Sequence, residues 1–441
     1  MNAIDNVLNK PSSAYPLAVF RIFFGFLLCL DVCRIYKIKL IDSFYPRGVV
    51  FHYDLNLPLV GQSVFNLILL LLFLATVGIT LGVFYKWCMG LFVLLFSYFF
   101  FLDMTLYNNH LYLIILIGCL MTFMPADAVL SLNKKTPQKI IAYWPYFILK
   151  FQIILVYLFG GISKLNPFWL DLHPAKELLL AKANASGLEF LQTVIMQNVV
   201  AYGGLFFDLF IGFLLLYSRT RYFAFIMVVA FNILNAYLFN DIYIFPFFMI
   251  GTLVLFADEK HVENYLKPFG FIRKNIKKEP KVLKEFKMKN TFKYLLFAYM
   301  IFQCVVPLRH LFIAGYTDWT GDAHFFSWRM KIQHRDIKEM QFAIFDTDNK
   351  VIHKIEPNKL LFPDEIVLMA NSPQMIVLFA EYLKDEIAPK NGIANCEIKS
   401  KIKVSFNGLE PCYIFDPDVD LIKGSQVNNR FYTWVNKLPN N

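Results

Sequence analysis

One lysine stands at the end of a long apolar run. The stretch VYLFGGISKLNPFW, residues 156–169, closes the apolar segment 144–162 and then presents Lys164. Two glycines and a serine precede it, so little local side-chain bulk covers the amine. A neutral amine in apolar surroundings can take a proton. The same residue type at the same place can also reach the interface and keep its charge in water, which is the commoner use of such a lysine. The residues alone leave both readings open. A second polar group at an apolar helix end is the Asn109–His110 pair of LDMTLYNNH, residues 102–110. An amide and an imidazole at that depth can stabilise negative charge that develops on an oxygen; they can equally cap a helix. No P-loop, strand-bound GxGxxG, HExxH, GxSxG or CxxC occurs, and no metal-ligand spacing is visible.

The elements that must position these groups are membrane helices. Of the 441 residues 57% are hydrophobic and only 17% charged, against about 25% charged in soluble proteins. A helix needs about 20 apolar residues to cross a bilayer. Nine segments come close: 15–34, 63–85, 87–106, 109–124, 144–163, 201–218, 221–239, 242–257 and 292–311, of which the fourth and eighth are short. The fold class expected is therefore mainly α: a polytopic bundle of about nine transmembrane helices with a small C-terminal α+β extramembrane domain. Its parts are a cytoplasmic tail 1–14, a helical domain 15–312 and an outer domain 313–441. No removable signal peptide is expected, because the first fourteen residues are polar and no short apolar stretch with a small-residue cleavage site follows.

The net charge of +10 sits largely in one connection. Between Lys260 and Lys289 there are ten Lys or Arg against three Glu. Lys134, Lys135 and Lys139, and Arg219 and Arg221, make two further basic connections. All three follow even-numbered spans, so the positive-inside rule puts them and the N-terminus in the cytoplasm and the C-terminal domain outside. Membrane topology accounts for the basic balance, and no nucleic-acid partner is expected. The turns 102–110, 163–169 and 235–241 then share the outer side with the C-terminal domain. Polar groups distant in sequence should meet there, in an apolar setting.

In the tail, FAIFDTDNKVIHKI predicts a hairpin around a DTDN turn and PQMIVLFAEYLKDEI a helix. CEIKSKIKVSF predicts a strand, with CYIFDPDVDLI as a possible partner. Cys396 and Cys412 fall in these two segments, where a disulfide and two free thiols are both open. Cys29, Cys33, Cys88, Cys119 and Cys304 fall in predicted spans as packing residues.

The chain resembles the vitamin K-dependent gamma-glutamyl carboxylases and their bacterial relatives, in the horizontally transferred transmembrane domain superfamily. The strings that carry the resemblance are LAVFRIFFGFLLCLD (17–31), FLDMTLYNNHLYL (101–113), FQIILVYLFGGISKLNPFW (151–169), LRHLFIAGYTDWTGDAHFFSWRM (308–330) and IFDPDVD (414–420). It runs to near residue 430, where animal carboxylases continue into a further lumenal region, so the chain looks like a minimal form. The resemblance implies the following chemistry. A lysine amine deprotonates reduced vitamin K, a naphthohydroquinone. Reaction with dioxygen gives a strongly basic alkoxide and then the epoxide. The alkoxide removes a γ-proton from a protein glutamate, and the carbanion adds carbon dioxide. No metal is implied. The partners implied are the lipid bilayer and a glutamate-containing secreted or membrane peptide.

Carried over by position, the resemblance makes Lys164 the base and Asn109 and His110 catalytic. It makes His310, Trp319, His324, Trp328 and Arg335 substrate-binding. Arg335 is expected to clamp a carboxylate through two hydrogen bonds, and Trp319 and Trp328 to be structural in part. Arg21 and Asp31 match too and are assigned to structure, as intramembrane charges that need partners. His324 stands where the animal enzymes have a tyrosine, and Asn232 where they have a histidine, so the proton inventory differs. Two alternatives accompany this expectation: a quinone epoxidase without carboxylase activity, and a non-enzymatic membrane protein that assists maturation or export of a secreted peptide. A transporter fits less well, since no pair of interrupted helices recurs in two halves.

Overall fold

Lipid offers the backbone no hydrogen bonds, so each apolar run must satisfy its own and coil into a helix. The computed structural model describes residues 2–37, 49–53, 55, 57–133, 137–239, 242–269, 287–346, 350–393, 395–427 and 433–438. Within these, seven helices are long and apolar enough to cross a membrane and two apolar helices are shorter. In chain order they are α1 Tyr15–Lys37, α2 Gln62–Leu81, α3 Tyr85–Leu102, α4 Asn109–Thr122, α5 Trp144–Ser163, α6 Val194–Leu216, α7 Arg221–Leu238, α8 Phe245–Gly251 and α9 Asn290–Leu308. The short ones are α4 and α8, the latter continuing as Leu253–Phe256. These are the fourth and eighth segments of the sequence. The 18 to 23 residues of the long helices correspond to about 27–35 Å at 1.5 Å per residue, the thickness of a hydrocarbon core.

Arg21 and Asp31 of α1 are buried; Asp31 is paired with Arg34, while Arg21, among the described residues, meets only backbone carbonyls through Nη2. Arg21 Nη2 donates to Leu130 O at 2.5 Å and Thr80 O at 3.4 Å, and Asp31 Oδ1 accepts from Arg34 Nε at 2.9 Å. At one end of the bundle β1, Pro11–Ser13, pairs antiparallel with β2, Ile140–Ala142. Ser13 is held further by Glu259, Glu263 and Tyr146. This fastens the N-terminal segment to the start of α5.

The contact that matters most for chemistry is between α5 and α6. A Cβ on Gly161 would lie 2.9 Å from Leu209 N, and one on Gly212 would lie 2.6 Å from Ile154 Cγ2. Only glycine lets the two backbones approach this closely at both places. The approach brings the end of α5 against the middle of α6.

Beyond the bundle, β3 Arg335–Phe345, β4 Val351–Ile355, β5 Glu397–Phe406 and β6 Cys412–Tyr413 form an antiparallel sheet in the order β4-β3-β5-β6. The helices α10 Pro363–Ala370 and α11 Pro373–Tyr382 belong to the same unit. Phe342, Ile344, Phe379, Ile398, Ile402, Val404 and Phe406 lie in its buried core, as the alternation in the two long strands predicts. The β3–β4 hairpin, the helix and the β5 strand agree with the sequence; the hairpin's turn residues 347–349 lie outside the described residues. So do 134–136, 240–241 and 270–286, which carry parts of the basic and polar connections. The expected fourth strand is only two residues long. Cys412 pairs with Val404, eight positions along from Cys396, which separates the two by about 26 Å at 3.3 Å per residue. Both are free thiols; a disulfide would require Cα atoms within about 7 Å.

Candidate active site beneath the outer domain

Lys164 is the C-cap of α5. The chain turns there because Asn166 accepts from Trp169 N at 3.0 Å, and Pro167 opens the next short helix. The turn leaves the lysine aimed back across α5 at α6. Its Nζ lies 2.5 Å from Asp208 Oδ2 and 3.4 Å from Gly160 O, over the Trp169 ring at 5.3 Å. Lys164 is 7% exposed and Asp208 5%. The lysine is thus neither a snorkelling anchor with its charge in water nor a lone amine in hydrocarbon. It is half of a buried pair.

Asn109 and His110 open α4. Tyr107 Oη donates to Asn109 Oδ1 at 2.9 Å and accepts from Phe326 N at 2.6 Å, while Asn109 Nδ2 donates to Arg329 O at 3.3 Å. Asn109 therefore ties the bundle to residues 326–329 rather than capping its own helix. His110 is buried, with its ring 5.8 Å from that of Phe245 on α8.

The segment 309–335 is a strap between the two units. Its two tryptophans enter different cores. Trp319 is buried in the outer unit, donating from Nε1 to Asn436 O at 2.6 Å. Trp328 is buried in the bundle and stacks on Tyr112 of α4 at 5.1 Å. Between them Arg329 and Asp318 form a two-pronged pair, Nε to Oδ1 and Nη2 to Oδ2, each at 2.7 Å, with Asp318 fully buried. Ala323, Phe326, Trp328 and Lys331 all have left-handed φ, between 56° and 59°. Such clusters of unfavourable backbone are held only where the surroundings enforce them. Here the two tryptophans, the Asp318–Arg329 pair and Tyr107 do so.

The three outer turns of the sequence do converge on this strap. Asn109 meets Arg329 O. Met330 Cε and Asp208 Oδ2 each lie 3.4 Å from where a Cβ on Gly160 would stand, so the strap passes over the Lys164–Asp208 pair. Lys331 Nζ stands 4.9 Å from the centroid of Phe239, at the end of α7. Arg329 and Lys331 therefore meet the first and third turns, Met330 lies over Gly160 just before the second, and Phe168 of the second turn packs on Tyr316 of the strap, ring centroids 5.2 Å apart.

The remaining expected residues lie on the outer side of the strap. His310 Nδ1 donates to Pro307 O at 2.8 Å in the neutral ring, which leaves Nε2 as an acceptor. Arg335 does not present an open fork to a carboxylate, which corrects that expectation. It is buried, with Nη1 donating to Ala370 O at 2.8 Å and Nη2 to Trp319 O at 2.5 Å and Asp318 O at 3.2 Å. Its two Nη groups brace the strap's first turn, with the guanidinium stacked over Trp319 and Phe406.

His324 lies in a cleft of about 780 Å³ together with His52, Tyr53 and Arg309. His52 Nδ1, Tyr53 Oη and His324 Nδ1 are buried there without hydrogen-bond partners among the described residues. Tyr107, Phe325 and Phe326 form an aromatic wall behind it, with centroids 4.5 and 5.3 Å from Tyr107. Burial holds the His324 imidazole down at about 4; Arg329, Arg335 and Arg309 add to this and Asp318 opposes it. The ordinary value is about 6.5. Between these values the folded protein binds fewer protons here than the unfolded chain. The contribution to stability is complete above about pH 6.5 and is lost as pH falls toward 4. The protection of amides 323–332, taken relative to the intrinsic exchange rate at each pH, should therefore fall on acidification from pH 7 to about 4.5, and His324→Gln should flatten that response. An identical acid response in both proteins would place the sensitive group elsewhere.

Three participants escaped sequence reading: Asp208, the Asp318–Arg329 pair and Tyr107. Asp208 carried a signal, as the only charged residue in the 23 residues of α6 and thus a lone intramembrane acid in need of a partner. Among the described residues no set of three or more His, Cys, Asp or Glu is placed to hold a metal ion.

Comparison with known families agrees with this arrangement. Residues 9–260 match the family model of the HTTM domain. Residues 288–441 match that of the vitamin K-dependent gamma-carboxylase, lumenal domain. No solved structure matches the chain. An HTTM helical bundle whose buried lysine and Asn-His pair lie beneath a strap of the carboxylase lumenal domain places this chain in the vitamin K-dependent gamma-glutamyl carboxylase family.

Proposed function

We propose that the protein is a vitamin K-dependent gamma-glutamyl carboxylase, converting glutamate of a secreted or membrane peptide to gamma-carboxyglutamate. Dioxygen and carbon dioxide are its co-substrates and no metal takes part. The observation that carries this reading is the buried Lys164 under a strap contributed by the lumenal domain, whose Arg329 meets Asn109 and whose Met330 lies over Gly160. Reduced vitamin K supplies, on oxidation to its epoxide, a base strong enough to remove a glutamate γ-proton, which no ordinary side chain can do.

The residues at the inner side of the strap fit such a group. Trp328 is 1% exposed, yet its Nε1 has no acceptor among the described residues. A buried N–H left so costs about 1–3 kcal/mol, and an oxygen of a flat apolar molecule would relieve it. Trp328, Asn109 and His110 are the residues to hold the quinone, with Lys164 as the proton acceptor. The strap keeps water from that amine, which preserves its capacity to take a proton from substrate. On the outer side, the unpartnered polar atoms of His52, Tyr53 and His324 suit a glutamyl side chain arriving from water, with the charge of Arg309 behind them, its Nη1 and Nη2 donating to Val306 O and Phe325 O. His310 follows Arg309 of that cleft in the chain, with its Nδ1 on Pro307 O. Arg335 and Trp319 act through the strap they brace.

Purified protein given reduced vitamin K, labelled bicarbonate and a short glutamate peptide should form epoxide and incorporate label together. Epoxide without label, for every peptide tried, would leave only an epoxidase.

The same reading puts the N-terminus in the cytoplasm and the lumenal domain in a periplasm or lumen. Single cysteines introduced at Lys354 and Lys401 on the sheet should react with impermeant reagent from outside intact cells, and one at Lys260 should not. The reverse pattern would invert the protein.

A further inference from the structure

The Lys164–Asp208 pair raises a difficulty that its geometry also answers. A lysine in contact with a carboxylate carries a proton already and cannot serve as a base until it sheds one. Bulk water is not at hand, since both side chains are almost wholly enclosed. Gly160 O, the Trp169 ring and Met330 of the strap complete the surroundings of the pair. The other titratable group facing Asp208 is the phenol of Tyr157 on α5, which is engaged by Asn232 Nδ2 of α7 at 3.4 Å. Among the described residues, the one acceptor within reach of Lys164 Nζ that can take a whole proton is Asp208 Oδ2, at 2.5 Å.

We propose that Asp208 is the positioning residue that frees the base, by storing the proton that Lys164 must give up. This rests on Lys164 being the base. The step is an internal transfer. One Nζ–H bond of the ammonium breaks and an Oδ2–H bond forms, leaving a neutral amine beside a neutral acid. Separated charges lose hydration on burial, and moving one proton removes both charges at once, so the neutral pair becomes competitive with the ion pair in such a place. At this separation the transfer needs almost no movement of heavy atoms. The exposed lone pair then accepts one proton from an acidic O–H of a bound phenolic substrate. The pair ends with charge +1, facing the one negative charge left on that substrate. Protons and charge balance without any further reactant. The carboxylate is needed for the timing of the amine's availability rather than for binding.

The α5–α6 glycine contacts explain why this arrangement is specific. Gly161 and Gly212 permit the approach that sets Asp208 opposite Lys164. A longer or shorter partner would break the short contact or crowd Gly160, whose missing Cβ already leaves only 3.4 Å to Asp208 Oδ2.

The test uses full-length protein in detergent or nanodiscs, with two kinds of readout. Without any quinone, infrared spectra of protein carrying carboxyl-labelled aspartate should contain a protonated-carboxyl carbonyl band that Asp208→Asn removes. With reduced vitamin K, Asp208→Asn should form epoxide about 100-fold more slowly at neutral pH, the scale of lost acid–base assistance. It should recover as pH rises, because an enclosed amine that no longer faces a carboxylate is then in its free-base form when substrate enters. Asp208→Glu should keep the wild-type pH profile at reduced rate. Absence of the carbonyl band would mean that the proton never leaves Lys164, and the proposal falls. Wild-type or higher activity in Asp208→Asn, with an unchanged pH profile, would show that the carboxylate only neutralises the lysine and would also overturn it. If Lys164→Ala still forms epoxide, the base assignment itself has failed; the infrared result then still decides whether the pair shares its proton. Should Asp208→Asn fail to insert, the labelled wild-type band and the Asp208→Glu pH profile carry the test alone.

Discussion

Lys164→Ala is expected to abolish epoxide formation, a loss of at least about 100-fold, in protein that still inserts into the membrane. Two effects combine in this variant and must be separated. One is chemical, the removal of the amine. The other is structural, since Asp208 would be left buried without its partner, and breaking a buried ion pair costs about 3–5 kcal/mol. The variant Lys164→Ala/Asp208→Asn removes the second effect. It should unfold at a higher temperature than Lys164→Ala and yet remain inactive. A small exogenous amine should restore part of the epoxide formation of the single variant, since the space vacated beside Asp208 can admit one. Near-normal epoxide formation in Lys164→Ala would return the lysine to a structural role, with Asp208 as its counter-ion. Inactivity with no rescue, together with normal stability of the double variant, would still implicate the amine but require that it be delivered on the α5 end.

The second large effect is expected at Arg329. Its two-pronged contact with Asp318 is buried at both ends, and it closes the loop of strap that carries Trp328 into the bundle. Arg329→Met leaves the Asp318 carboxylate enclosed, with His324 4.0 Å away as the nearest cation that could form. The expected cost is about 3–5 kcal/mol, seen as a lower unfolding temperature and as faster amide exchange across residues 323–332. Asp318→Asn/Arg329→Met should recover much of the stability, because buried pairs are often replaceable when both charges go. The backbone explains why the strap depends on this pair. Ala323, Phe326, Trp328 and Lys331 hold left-handed conformations, each costing about 1–2 kcal/mol for an L-residue, so a strap that loses its anchors has reason to relax. Single variants as stable as the parent would mean that Trp319, Trp328 and Tyr107 suffice to hold it.

His324 and Asn232, the two departures from the animal enzymes, fall in different places. His324 lines the outer cleft as a neutral ring, so it can give or accept a hydrogen bond to a peptide without adding charge. Asn232 is buried in the bundle on Tyr157 and Val228 O, one contact removed from Asp208.

The elements themselves were legible in the residues. An apolar run in lipid has one way to satisfy its backbone, so nine segments could be read as nine helices, the fourth and eighth short. Alternation in the tail marked the two long strands, because side chains on a strand change face at every residue. The clustering of the turns 102–110, 163–169 and 235–241 followed from counting spans. Lys164, Asn109 and His110 stood out as polar groups at apolar helix ends.

Which polar group each of these meets depends on how the helices pack. Asp208 lies 44 positions from Lys164, and their meeting depends on the rotation of α6 about its axis and on how closely Gly161 and Gly212 let α5 approach. Hydropathy is blind to both, since an apolar helix in lipid reads much the same on every face. Arg335 is the complementary case. Residue type suggested a clamp for a carboxylate, but the fold spends its Nη donors on the carbonyls of Asp318, Trp319 and Ala370. A guanidinium serves whichever acceptors the packed chain brings to it, and backbone carbonyls left over at turns cannot be seen before the turns are placed. The two tryptophans of one strap entering two different cores follow from the same physics: burial is set by what packs around a side chain, and that is assembled from residues far away in the chain.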